Sequence, residues 1–267
     1  VVAASPLGAA RVLEAAAVPQ ALGLQQPLWA VAASHPLVAV GAGAEAGLFR
    51  TVDGGRTWAA VPGTSGVRFS DVHRVQGHRV VAVGDGLLWS SDDAGRRWAR
   101  AVPPASCQAR WVRFAGAAGV VACADGTSLR SGDGGDSWAV GPRLPAALGP
   151  VAWLDAARGL APRLDGRGAA LTVDGGASWA LIEGPALVDV QRGGAGWTGV
   201  SGAGHLWTAG PTGAGWARVE SGPLGPTVAH RWTADGALVR LAPGGLWRHR
   251  AGVAERLAET PDAHGVA

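Results

Sequence analysis

The stretch Thr51-Val-Asp-Gly-Gly-Arg-Thr-Trp58 decides the fold, because it recurs along the chain. Ser91-Asp-Asp-Ala-Gly-Arg-Arg-Trp98, Ser131-Gly-Asp-Gly-Gly-Asp-Ser-Trp138 and Thr172-Val-Asp-Gly-Gly-Ala-Ser-Trp179 repeat one pattern: hydroxyl, any, Asp, any, Gly, any, any, Trp. Their closing tryptophans lie 40, 40 and 41 residues apart. A fifth copy, Thr208 to Trp216, keeps its ends, has lost the Asp and carries one extra residue. A sixth, around Arg248–Gly252, is recognisable only by what precedes it.

The flanks repeat too. Before the boxes stand short apolar runs closed by a small residue: Leu37-Val-Ala-Val-Gly41, Val80-Val-Ala-Val-Gly84, Val120-Val-Ala-Cys-Ala124 and Trp197-Thr-Gly-Val-Ser201. A second short strand leads into each box, as at Gly47-Leu-Phe-Arg50 and Gly86-Leu-Leu-Trp89. Upstream, a large apolar residue marks a further strand: Trp29, Phe69, Trp111, Trp153, Leu187 and Trp232. Four strands in about 40 residues is the size of a propeller blade. The expected fold is all-β, one β-propeller of about six four-stranded blades, with seven left open by the two eroded boxes. The blades are expected near 27–60, 66–101, 107–141, 149–182, 185–219 and 226–258. Residues 1–26 would hold a closing strand, Ala10–Val18, pairing near Leu246–Leu257, and 259–267 would be a polar disordered tail.

Within the box, hydroxyl and carboxylate accept backbone N–H groups of a tight turn, and glycine supplies the positive φ. The tryptophan opens the next strand and packs between sheets, so alanine there is expected to cost ~3–5 kcal/mol. The pattern resembles the Asp-box repeat of bacterial neuraminidases. That resemblance implies that the box lies between the two outer strands, away from a ligand. Asp53, Trp58, Asp93, Trp98, Asp133, Trp138, Asp174 and Trp179 are then structural.

Sialidase chemistry needs a tyrosine nucleophile, and the chain has no tyrosine. Glycosidases of other types use paired carboxylates. Asp71, Asp155 and Asp189 each follow a large apolar residue by two positions, as Arg113 does, and are expected to converge near the channel either as such a pair or as exposed Asp–Arg pairs. Asp85, Asp125 and Asp165 each precede glycine, the usual hairpin turn signal. No residue is assigned a catalytic role, and no metal or cofactor motif is present. The absence of lysine removes Schiff-base and Walker chemistry.

Across roughly residues 20–258, the order of strands, glycine turns and boxes resembles the photosystem II assembly and stability factor family. The resemblance implies an exported, non-catalytic propeller that binds protein, with a membrane protein or membrane complex as partner. Arg68, Arg110, Arg143, Arg163, Arg167 and Arg231 fall where loops enter inner strands or join second to third strands, and form the candidate partner-binding patch. Arginine suits that role because its planar fork grips carboxylates.

Composition limits the alternatives. The 23 positive charges are all arginine and oppose 20 acids, a net of +3. The two signs alternate along the chain, so no basic stripe for nucleic acid is present. Val1–Ala10 resembles the small-residue region around a signal-peptide cleavage site, and the expected location is periplasmic or extracellular. The longest uncharged run, Ala15–Ala44, is interrupted by prolines and glutamines and does not read as a membrane span. Cys107 and Cys123 flank a hairpin turn at Ala115–Gly119. A disulfide suits an exported chain, and two buried thiols suit the sequence equally.

Overall fold

The apolar runs are strands, and they are continuous rather than alternating because both faces of each sheet are covered. Among the residues described by the computed structural model (4–5, 8–12, 17–20, 28–43, 47–193, 196–219, 229–232, 238–242, 245–250 and 253–258), every regular element is a strand. The N-terminal strands are β1 (Ala4–Ser5), β2 (Gly8–Val12) and β3 (Ala17–Gln20). Six antiparallel four-stranded sheets follow, each in chain order. The first holds β4 (Leu28–His35), β5 (Val38–Gly43), β6 (Leu48–Thr51) and β7 (Ala59–Ala60). The second holds β8 (Phe69–Arg74), β9 (Val80–Gly84), β10 (Leu87–Ser91) and β11 (Ala99–Ala101). The third holds β12 (Ala109–Ala115), β13 (Ala118–Cys123), β14 (Ser128–Ser131) and β15 (Ala139–Val140). The fourth holds β16 (Ala152–Trp153), β17 (Gly159–Pro162), β18 (Ala169–Thr172) and β19 (Ala180–Ile182). The fifth holds β20 (Leu187–Gly193), β21 (Gly196–Ser201), β22 (Leu206–Ala209) and β23 (Ala217–Arg218). The sixth holds β24 (Ala229–Trp232), β25 (Leu238–Ala242), β26 (Gly245–Arg250) and β27 (Val253–Ala258).

Successive first strands touch, β4 with β8, β8 with β12, β12 with β16, β16 with β20 and β20 with β24, so they form the inner ring of a propeller. The second strands carry the core. All five residues of β9 are buried, Val80 and Ala82 packing toward the first blade and Val81 and Val83 toward the third. The core is thus a series of layers between blades, each built from the alternating faces of two neighbours.

Closure differs from expectation. Ala10–Val18 is not one strand completing the last blade: Ala10–Val12 end β2, Ala17–Val18 begin β3, and the two pair with each other. They form a three-stranded sheet with β1 that meets β4 on one side and β27 on the other. The last blade carries its own fourth strand, paired to β26. Residues 259–267, and 251–252 of the sixth box, lie outside the described residues.

The inner-strand register also differs. The ladder aligns Leu28, Phe69, Ala109, Leu148 and Leu187, each pairing with or just after the end of the second strand. Trp29, Trp111 and Trp153 are therefore not equivalent. Trp153 pairs with Gly159, the start of β17, and stands at the far end of its strand.

Candidate functional site

The strand order gives the propeller two unlike faces. One holds the boxes and the turns between first and second strands: Gly54, Ala94, Gly134 and Gly175 donate N–H bonds to Leu37, His78, Ala117 and Ala157. The other, called here the upper face, gathers the starts of the inner strands and the turns from second to third strand. There Arg68 donates its N–H to the Asp85 carboxylate at 3.0 Å, and Leu144 its own to the carbonyl of Gly126.

The boxes are turn locks. Asp53 accepts from the hydroxyl of Thr51 (2.8 Å), the N–H of Arg56 (2.9 Å) and both donors of Thr57. Thr51 Oγ1 in turn accepts the N–H of Gly55 at 2.8 Å, and Ser91, Ser131 and Thr172 repeat that bond. The bonds from Thr57 and Ser137 hold Asp53 and Asp133 well below the usual carboxylate range. Burial pulls Asp93 and Asp174 upward, but their hydrogen bonds prevail and leave Asp174 at about 2. These carboxylates are held as anions by hydrogen bonds inside their own loops. The box tryptophans Trp58, Trp98, Trp138 and Trp179 are half-buried rather than enclosed. Replacing one by alanine should cost about 3 kcal/mol, the lower end of the core range.

The second, third and fourth boxes also clamp the preceding blade, a role absent from the sequence reading. A Cβ on Gly95 would lie 2.2 Å from Val40 of the first blade, and Gly95 has φ 82°, so only glycine fits. Arg50 reaches from the first blade to the Ala94 carbonyl (2.8 Å), Arg79 from the second to Gly134 (2.6 Å) and Arg130 from the third to Gly175 (3.4 Å). The arginine directly before Thr51 and Ser131 was the only trace of this in the sequence.

Asp155 does not join the other inner-strand acids. Asp71 is buried in β8, where it accepts the N–H groups of Val72 and Val112, both at 3.0 Å, and pairs with Arg113 of the next blade. Burial pushes its carboxyl up, and Arg113 opposes the shift. Asp155 lies past the end of β16, on the box face, in a turn where it binds Ala157, Arg158 and the Arg158 guanidinium. Asp189 shares Asp71's ladder position, and Gln191 donates to it at 3.2 Å. Arg113 sits two residues beyond that position, beside His73 rather than beside Asp71 in register. Asp71 and Asp155 therefore serve opposite faces and make no catalytic pair.

The arginines of the candidate patch differ in exposure. Arg68, Arg110, Arg143 and Arg167 are exposed, whereas Arg163 is 7% exposed and bound to Asp165, Glu183 and the Arg167 carbonyl. Arg163 is spent on its own blade, which removes it from any docking role. Arg231 lies in β24, with its side chain outside the described ones. Arg110 and Arg143 border a cleft of about 290 Å³ between the third and fourth blades. Its floor is Ala122, Leu144 and Leu148, and its wall includes Cys123. Cys123 is joined to Cys107 in a disulfide with Cα atoms 5.2 Å apart, linking the chain ahead of Arg110 to the end of β13. Arg143 donates to the Asp125 carbonyl at 2.8 Å, while Arg110 makes no ion pair or hydrogen bond among the described residues.

No protein-family model matches the chain, and no curated protein sequence matches it. Solved structures do. YCF48 bound to D1 peptide is 17% identical with a TM-score of 0.72, over 88% of this chain and 83% of that one. YCF48 from Cyanidioschyzon merolae is 16% identical with a TM-score of 0.67, over 96% and 88%. The chain is a β-propeller. An ancestral GH74 enzyme also aligns, at 14% identity and a TM-score of 0.67, but 97% of this chain covers 40% of that one.

Proposed function

We propose that this propeller is a non-catalytic protein-binding scaffold, an exported accessory or assembly factor for a membrane protein complex. The observation that carries the reading is the cleft at Arg110 and Arg143, where two exposed arginines stand over an apolar floor and neither forms an ion pair within 4 Å among the described residues. Such a surface suits a protein segment bearing a carboxylate. The likeness to a propeller solved with a D1 peptide supports a shape of this kind holding a polypeptide. Export is supported by the Cys107–Cys123 disulfide, which belongs in an oxidising compartment. The GH74 likeness raises hydrolysis of a glycan as the rival reading, and the separation of Asp71 from Asp155 weighs against it.

Cross-linking of the tagged chain in its native membranes tests the proposal. The expected result is one membrane protein captured by the wild type, with capture reduced at least about tenfold by combined charge reversal of Arg68, Arg110, Arg143 and Arg167. Capture indifferent to those changes, or turnover of a glycan panel, would overturn it.

A further inference from the structure

The inner strands carry a repeated irregularity at the upper face. In β4, β8, β12 and β20 the ladder shifts between Leu28 and Ala30, Phe69 and Asp71, Ala109 and Trp111, and Leu187 and Asp189. The skipped residues are Trp29, Ser70, Arg110 and Val188. A β-bulge re-aims its extra side chain out of the pleat, and here it does so in every case. Trp29 is 47% exposed, Val188 is 52% exposed, and Ser70 and Arg110 are exposed as well. A tryptophan and a valine on a buried strand would otherwise sit in the core.

Three of these residues are contiguous. The Trp29 indole N–H donates to the Phe69 carbonyl (2.9 Å), which puts the ring beside Ser70. The Ser70 hydroxyl donates to the Ala109 carbonyl (2.6 Å), next to Arg110. Arg110 borders the cleft, whose Leu148 carbonyl accepts the Trp111 indole at 3.0 Å. The arc from Trp29 through Ser70 and Arg110 to the cleft is therefore one surface, tied from blade to blade by the bonds of Trp29, Ser70 and Trp111. A half-exposed tryptophan fixed by its indole bond, on the same surface as an exposed arginine, has the composition of an interface hot spot, and Trp29 has little side-chain entropy left to lose on binding.

We infer that this bulge-displayed arc is a docking surface for an extended protein segment that carries a large apolar side chain and, a few residues away, an internal Asp or Glu. The apolar side chain packs on Trp29 and the carboxylate meets Arg110, with Arg143 across the cleft. Charge complementarity selects the acid: Arg110 and Arg143 are the cleft's cations, and its one acid, Asp125, is turned to Thr127. The cleft opens at a rim of exposed residues, which suits a side chain of a passing segment better than a chain end. The inference rests on the binder reading and adds the place and the ligand's chemistry.

A randomised library of displayed 12-residue peptides, panned against the full chain, is the probe. Enriched peptides should pair an Asp or Glu with an aromatic or leucine. Their affinity should fall at least about tenfold with Trp29→Ser and with Arg110→Glu, and stay unchanged with Arg56→Glu on the box face. Trp29→Phe should retain most of the affinity, since the ring and not the indole bond makes the contact. Melting curves matching the wild type show that each variant is folded. No enrichment, enrichment without acids, or binding indifferent to Trp29→Ser and Arg110→Glu would each overturn the inference. If membrane cross-linking to a partner persists in those same variants, the docking arc fails while the scaffold reading stands.

Discussion

The indole N–H of Trp111 donates to the carbonyl of Leu148 at 3.0 Å and thereby ties the third blade's inner strand to the start of the fourth. Trp29 and Ser70 make the matching bonds to Phe69 and Ala109, so the aligned residues of three neighbouring blades each have their carbonyl capped from the blade before. Trp111 and Leu148 are both buried, and the carbonyl has no water to fall back on. Trp111→Phe keeps an aromatic ring and removes the donor, which should cost about 1–3 kcal/mol. Equilibrium denaturation of that variant beside the wild type measures it, and an unchanged midpoint would show the bond to be dispensable.

Arg79 is a second inter-blade tie. It donates to the Gly134 carbonyl and to the carboxylates of Asp92 and Asp136, drawing the second and third boxes together. Arg79→Lys retains the charge but not the fork that spans three acceptors. Both Arg79→Lys and Arg79→Ala should therefore destabilise, the alanine variant by about 1.5–3 kcal/mol. Full rescue by lysine in a thermal melt would mean that charge alone matters.

Ala94 occupies the fourth box position at φ 58°, where the other boxes have Gly54, Gly134 and Gly175 at 78°, 77° and 69°. An L-residue there costs ~1–2 kcal/mol, and glycine returns ~0.4–1 kcal/mol of that through the freer unfolded chain. Ala94→Gly should thus stabilise by about 0.5–1 kcal/mol, raising Tm by roughly 1–4 °C. The carbonyl that receives Arg50 is kept. A lower Tm would contradict the strain.

Acid should loosen the boxes. The carboxyls of Asp53, Asp93, Asp133 and Asp174 are held below their ordinary value of 3.8 in the folded chain, Asp174 at about 2. Between the unfolded and folded values the unfolded chain binds more protons, so falling pH favours unfolding. Their contribution is complete above about pH 5 and is lost as pH drops through 4 toward 2. Urea midpoints at pH 6, 4, 3 and 2.5 should fall across that window, and less steeply in Asp174→Asn. Midpoints constant to pH 2.5 would rule this out.

The box and its spacing were legible because they are local: hydroxyl, Asp and Gly lie within five residues and lock one turn. The run Val80–Gly84 was legible because a sheet covered on both faces needs apolar residues throughout. The sequence misled where equivalence depends on pairing. Trp153 looks like the counterpart of Phe69, but Leu148 occupies that place, and Asp155 consequently falls on the opposite face. Arg163 looked like a free surface cation and is buried on Asp165.

What the sequence alone determined is the repeating unit, the turn chemistry of the box and the all-β propeller, since these depend on residues near one another in the chain. Only the tertiary structure decided the register of the inner strands and the partners of Trp29, Ser70, Asp71 and Arg79. It likewise decided which arginines remain exposed on the upper face. Those partners lie about 40 or more residues away, on the next blade. A one-residue bulge turns a strand residue from the core to solvent, and no local pattern in the sequence records which residue is skipped.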